Sequence, residues 1–331
     1  MEERKRAHIN LAFESRVNAG EADPRFNYEP LLSAHPIADF KPISFAGKTM
    51  RLPVWVSSMT GGTALAGQIN RNLARVCREF GMGMGLGSCR ILLEDPKHLT
   101  DFDVRDILGD ESPFYANLGI AQLERMLRDG SEERICEMVD KLHADGIIIH
   151  INPLQEAFQP EGDLLNRPPI ENIQEFVEKT HLRVIVKEVG QGMGPASLEA
   201  LLQLPLQAIE FGALGGTNFT KLELTRHSVG TQSIYNIFGT VGHTAEEMTL
   251  LVNEIAARLD NIQCHELIIS GGISNALDGY YLTQTSTLKS VFGMGSAFLE
   301  HAMDDYEALH NFAEKIKKSL ALAGCYLRIK G

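Results

Sequence analysis

The run Gly146-Ile147-Ile148-Ile149 reads as a buried strand, and the residues that follow it, His150 to Asp163 (HINPLQEAFQPEGD), are polar. Packing does not ask for that change. Side chains alternate along a strand, so Ile148, His150 and Asn152 share one face. An imidazole beside an amide, with Gln155 and Glu156 close behind, can grip a phosphate and a divalent cation together. A lone histidine is more often a satisfied core residue, but these neighbours favour a functional one. Lys187 closes a second apolar run (Leu182-Arg183-Val184-Ile185-Val186), so an ammonium sits at its mouth and needs an anionic partner. A lysine snorkelling to the surface is the plain alternative.

Glycine supplies a third element. Gly271-Gly272 and Gly293-Met294-Gly295-Ser296 are weak signals singly, since glycine pairs mark ordinary turns. Together they suit a phosphate, because glycine lets backbone amides approach its oxygens and a helix amino terminus adds a favourable dipole. Met59-Thr60-Gly61-Gly62 reads as a helix cap with glycine hinges, whose amides could also lie against a flat heterocycle. No dinucleotide fingerprint, P-loop or nucleophile elbow is present.

These groups need a scaffold that brings distant segments to one place. Eight β-rich runs alternate with amphipathic stretches: 53–59, 82–86, 114–117, 146–152, 183–189, 208–212, 266–270 and 291–294. Helices are expected over 64–80, 132–144, 170–179 and 245–259, where apolar residues recur every three or four positions. Eight strand-helix units predict a (β/α)8 TIM barrel over residues 51–331, with residues 1–50 as an amino-terminal arm and cap. A doubly wound open sheet is the runner-up. Polar and glycine residues follow every strand, so the motifs are expected on the carboxyl-terminal rim.

Bulk properties set limits. The chain has 331 residues, 44% of them hydrophobic, and a formal charge of -12, which argues against a general nucleic-acid binder. Its five cysteines form no C-x-x-C pair, so neither a zinc site nor a disulfide framework is suggested. Without a signal-like start or a run of about 20 apolar residues, a cytoplasmic protein is expected.

The ordered set RKRAHI, SSMTGG, GSCR, ANLG, HINPLQEAFQPEGD, VIVKEVGQGMG, GALGGTNF and SGGIS resembles the type II isopentenyl-diphosphate isomerases, flavin-dependent (β/α)8 barrels, from Arg4 to about Gly295. The resemblance implies conversion of isopentenyl to dimethylallyl diphosphate by an allylic 1,3-proton shift, with reduced FMN and Mg2+. NADPH or another donor reduces the flavin, and no net oxidation occurs. His150, Arg4, Lys5, His8 and Arg90 would meet the diphosphate, with the arm closing over the site. Asn152 and Glu156 would carry Mg2+, and Gln155 would lie near the double bond. FMN would be held by Met59, Thr60, Gly61, Ser88, Asn117, Lys187 and Thr217 along its ring and ribityl chain, and by Gly271, Gly272, Gly293, Gly295 and Ser296 at its phosphate. His150, Gln155 and Lys187 are the residues expected to act in the reaction. The family commonly forms tetramers or larger rings.

The chain departs from the family pattern at several positions. Cys89 stands for Gln, Glu210 for Asp, Gly194 for Ser, Ser274 for Arg and Ala276 for Gly. Tyr281 falls near the usual Lys, and Phe238 to Thr244 replaces a segment that usually holds Trp and Pro. Two other functions compete. One is a different FMN barrel oxidoreductase, such as a 2-hydroxy-acid oxidase or an azole-ring dehydrogenase using Cys89 as nucleophile. The other is a scaffold or sensor derived from the isomerase.

Overall fold

A computed structural model describes residues 2–36, 40–58, 61–160, 162–227 and 234–330. Eight parallel strands close into a barrel, as the alternation predicts. They are β1 Val54–Val56, β2 Gly83–Gly85, β3 Phe114–Gly119, β4 Gly146–Ile151, β5 Val184–Glu188, β6 Ala208–Glu210, β7 Glu266–Ser270 and β8 Lys289–Met294. The ring closes where β8 pairs with β1 through Phe292 opposite Val54. The open-sheet alternative is thereby excluded.

The expected helices form close to their expected bounds, at Ala64–Phe80, Glu133–Lys141, Pro169–Lys179 and Ala245–Arg258. Their ends follow local chemistry. Thr63 caps the first by accepting from Ala66 N at 3.1 Å, and Gly81 ends it in the left-handed conformation at φ 69°.

Two apolar layers define what each strand residue does. Ile147 and Ile149 belong to the large core between barrel and helices, whereas Ile148 packs inside the barrel with Trp55, Tyr115, Ile185, Ala208, Ile268 and Val291. Moving two residues along each strand from that interior layer keeps the side chain on the same face. The positions reached are Ser57, Asn117, His150, Lys187, Glu210, Ser270 and Gly293. An apolar plug thus gives way to a layer of six polar side chains and one glycine at the carboxyl ends of seven strands.

The first fifty residues do more than cap. A hairpin, Ile43–Phe45 with Lys48–Met50, places Phe45, Ala46 and Met50 in the interior cluster. Ala46 N donates to Glu266 Oε2 at 2.8 Å, and Glu266 opens β7, so the hairpin stoppers the amino-terminal end. Phe26–Tyr28 pairs antiparallel with Leu327–Ile329 beyond the long helix Tyr306–Tyr326. The helix Glu2–Leu11 buries no residue. Among the described residues no helix is long and apolar enough to cross a membrane.

Candidate active site

Two adjoining cavities open at the carboxyl ends of the strands. The larger, about 280 Å³, runs from Ser57, Ser58 and Lys187 past Glu210 and Ser270 to the glycine loops after β7 and β8. The smaller, about 130 Å³, lies over Ser88, Asn117, His150 and Gln155. Ser58, Lys187, Val189 and Phe219 border both. One molecule with a ring at one end and a phosphate at the other could span them.

The smaller cavity carries the acid-base groups. His150 Nδ1 lies 2.7 Å from Asn117 Oδ1. Asn117 Nδ2 donates to Leu86 O at 2.9 Å, which turns the amide oxygen toward the imidazole and places the ring proton on Nδ1. Burial, and then the Lys187 charge, pull the His150 pKa down to about 3, so the ring is neutral near pH 7. Its Nε2 is then a free acceptor that becomes a donor once an anion stabilises the imidazolium.

Behind it, Asn152 Nδ2 donates to Glu156 Oε1 at 2.9 Å and to Gln155 Oε1 at 3.2 Å. Glu156 Oε2 also accepts from Asp163 N at 2.9 Å. Asn152 Oδ1 is buried with no hydrogen-bond partner, a position a native fold rarely leaves unfilled. Asn152 Oδ1 and the remaining Glu156 lone pairs are hard oxygens that fit Mg2+, which typically takes few protein ligands and draws the rest from water and phosphate. Among the described residues no three His, Cys, Asp or Glu side chains gather as a metal cluster. The segment that carries Glu156 is itself anchored, since Glu124 accepts from Asn166 N, Asn166 Nδ2 and Asn172 Nδ2 at 2.8 to 3.1 Å.

The larger cavity fits a phosphate-bearing flavin. Ser57 Oγ, Ser58 Oγ and Glu210 Oε2 are buried without partners along its floor, and Lys187 is buried at its edge. Gly271 sits at φ 91°, and a Cβ there would come within 2.2 Å of Ala213 O, so only glycine permits this approach. Gly272, Gly293, Gly295, Ser296 and Thr217 line the same space. The next loop is fixed by Glu188, whose Oε2 accepts from the amides of Gly190, Gln191 and Gly192 at 2.6 to 2.8 Å.

Most expected residues therefore meet at one rim, and some do not. Arg90 lies at its edge, 3.9 Å from Asp163 and 3.6 Å from Glu94, without lining either cavity. Gly61 packs against Phe102. Arg4, Lys5 and His8 stand exposed on the arm helix and line neither of the two cavities. Met59 and Thr60 lie outside the described residues. Cys89 differs from its expected place on the rim. It is fully buried, burial pushes its thiol up to about 12, and Sγ points to Gly87 O at 3.4 Å. A thiolate nucleophile does not form under such desolvation.

Glu223 was not singled out by its sequence neighbourhood. It is buried on the helix Phe219–His227 and receives Gln155 Nε2 at 3.5 Å, the outer limit of a hydrogen bond. Its signal was the four-residue step from Phe219, which puts both on one helix face.

The fold and site together define a (β/α)8 barrel whose binding site, at the carboxyl ends of its strands, suits a phosphate-bearing ligand. No family model matches the sequence. An isopentenyl-diphosphate delta-isomerase from Rickettsia felis is 32% identical over 321 residues, covering 93% of this chain and 87% of the relative. Another from Rickettsia akari is 33% identical over 296 residues, covering 89% and 80%. The chain belongs to the isopentenyl-diphosphate delta-isomerase family. Among solved structures, a mandelate oxidase with an FMN adduct superposes with a TM-score of 0.57 at 14% identity, covering 92% of this chain and 88% of the other. A flavocytochrome b2 with sulfite bound gives 0.61 at 13% identity, covering 90% and 70%. At such identity the likeness speaks for the fold alone.

Proposed function

We propose that the protein is a type II isomerase that interconverts isopentenyl and dimethylallyl diphosphate, using FMN and Mg2+, with NADPH or another donor keeping the flavin reduced. The observation that carries this reading is the shared wall of Ser58, Lys187, Val189 and Phe219, which joins a phosphate-suited glycine cradle to the His150–Gln155 chamber. Bound reduced FMN would supply a proton-exchanging group.

This chain's own residues do the rest. His150 Nε2 meets the diphosphate, gaining a proton as the anion offsets the burial that disfavours the imidazolium. Asn152 and Glu156 would hold Mg2+, which would supply positive charge for binding the diphosphate. Gln155, linked to Glu223, positions the five-carbon chain and offers a route along which a proton lost from one end of the allylic system can leave. The shift adds one proton and removes another, so no electrons are consumed. Lys187, which borders both cavities, would act on the bound flavin as a cation that favours negative charge on the reduced form. The family resemblance further assigns Met59, Thr60 and Gly61 to the flavin ring, and Arg4, Lys5, His8 and Arg90 to the diphosphate, over which the arm would have to close from its exposed position to exclude water. We place the enzyme in isoprenoid biosynthesis in the cytoplasm, as a homo-oligomer of four or more chains.

The competing thiol-dependent dehydrogenase is disfavoured by the buried Cys89. The test is reconstitution with FMN followed by anaerobic turnover. A yellow protein that bleaches with dithionite and forms dimethylallyl diphosphate supports the assignment. A colourless protein that cannot be reconstituted favours a scaffold, and oxidation of a 2-hydroxy acid favours the oxidase.

A further inference from the structure

In the larger cavity a lysine and a glutamate face the same space without pairing. Lys187 and Glu210 are register neighbours on β5 and β6, and both line the cavity. Lys187 Nζ donates to Glu188 O at 2.8 Å, and no ion pair joins it to Glu210. Glu210 has no solvent exposure. Its Oε1 receives only a long bond from Ser270 Oγ at 3.4 Å, and its Oε2 receives none. A fully buried carboxyl so poorly satisfied is costly unless it can change its protonation state or gain a partner.

We infer that Glu210 is a redox-linked proton acceptor, which sets how much positive charge Lys187 presents to the bound flavin. The inference rests on the flavin reading of this cavity. Its physical basis is a competition among the groups that face Glu210. Burial raises its pKa, while the Lys187 charge on β5 and the Ser270 hydroxyl on β7, with the Ser57 hydroxyl just past β1 nearby but in no formed hydrogen bond, oppose that rise. Glu188 spends its carboxylate on three amides, and Glu300 lies at the exposed outer edge. Lys187 is therefore the one buried cation in balance with Glu210 among the residues lining this cavity. Negative charge arriving on a ligand beside both tips the carboxyl toward its neutral form. By linkage, the same coupling makes protonation of Glu210 favour reduction.

Reduction of bound FMN to its anionic form takes two electrons and one proton, and Glu210 takes a second proton from solvent. Lys187 then stands uncompensated against the anion. Above the pH at which Glu210 protonates in the reduced state, that second proton is not taken up. The carboxylate then offsets the lysine and lowers the potential.

The experiment is a dithionite potentiometric titration of the FMN-loaded protein across pH, for wild type, Glu210→Gln and Glu210→Asp. One extra proton per two electrons steepens the wild-type line by about 30 mV per pH unit within the window, since a tenfold change corresponds to that potential for a two-electron couple. Glu210→Gln loses the steep segment and has the higher potential at the alkaline end, whereas Glu210→Asp keeps the segment. Reduced-minus-oxidised infrared spectra of the wild type give a second readout that needs no variant: a protonated carboxyl band gained on reduction and shifted in heavy water. Parallel wild-type and Glu210→Gln lines, or no such band, overturn the inference while leaving the flavin assignment intact. If the wild type binds no FMN, the flavin reading fails and the inference falls with it.

Discussion

His150 Nδ1 and Asn117 Oδ1 lie 2.7 Å apart across β3 and β4, and Asn117 is itself held by Leu86 O. The amide thereby fixes both the tautomer and the direction of the imidazole, leaving Nε2 to face a ligand. Asn117→Leu removes that constraint without touching His150. We expect the KM for the diphosphate substrate to rise by about tenfold, equivalent to ~1.4 kcal/mol, with a smaller change in kcat. Steady-state kinetics of the purified variant measure both, and an unchanged KM would show that the contact does not position the ring.

Glu156→Gln keeps the shape of the Asn152 contact and removes the charge. Mg2+ affinity should fall by about 10- to 100-fold while FMN binding stays near the wild-type level. Metal titration followed by activity, alongside flavin fluorescence, separates the two. Equal Mg2+ dependence in both proteins would remove the metal assignment.

Gly271→Ala should cost FMN affinity. Its positive φ and the closeness of Ala213 O imply strain of about 1–3 kcal/mol, roughly 5- to 150-fold in binding. Isothermal titration with FMN reads this directly, and unaltered affinity would place the phosphate elsewhere.

Cys89→Ala should leave turnover within about twofold and lower stability by about 1 kcal/mol, as expected for a small buried truncation. Loss of all activity, with a trapped adduct on wild-type Cys89, would instead revive the dehydrogenase reading.

Glu124 gives the pH dependence of stability. Burial raises its carboxyl pKa, but bonds from Asn166, Arg167 and Asn172 outweigh this and hold it below the ordinary carboxylate value. A depressed folded-state pKa contributes stability that is present above the unfolded value and is lost as pH falls through the folded one. Thermal melts from pH 7 down to pH 3 should therefore show wild type losing more of its midpoint than Glu124→Gln does. Parallel curves would deny Glu124 that role.

How much of this was legible in the sequence depends on the periodicity involved. Two-residue alternation put His150 on the same face as Ile148, and Lys187 on the same face as Ile185, and both pairs turn inward as expected. The barrel was legible for the same reason, since each apolar run ended at a polar tip. The plugging hairpin was not, because three-residue strands such as Ile43–Phe45 carry too little alternation to register. Glu223 was hidden because a helix brings it to Gln155 from 68 residues away. Cys89 was misplaced because rim and core are one residue apart at the end of a strand, and sequence does not show which way the turn rotates its side chain.

In the proposed reaction, polar tips from separate strands converge to move a proton across an allylic diphosphate. Anaerobic incubation of the FMN- and Mg2+-loaded, reduced protein with isopentenyl diphosphate in heavy water tests it most directly. Dimethylallyl diphosphate carrying deuterium from solvent is the expected product. Failure to form that product with flavin and metal demonstrably bound, or its formation without solvent deuterium, would contradict the proposed reaction.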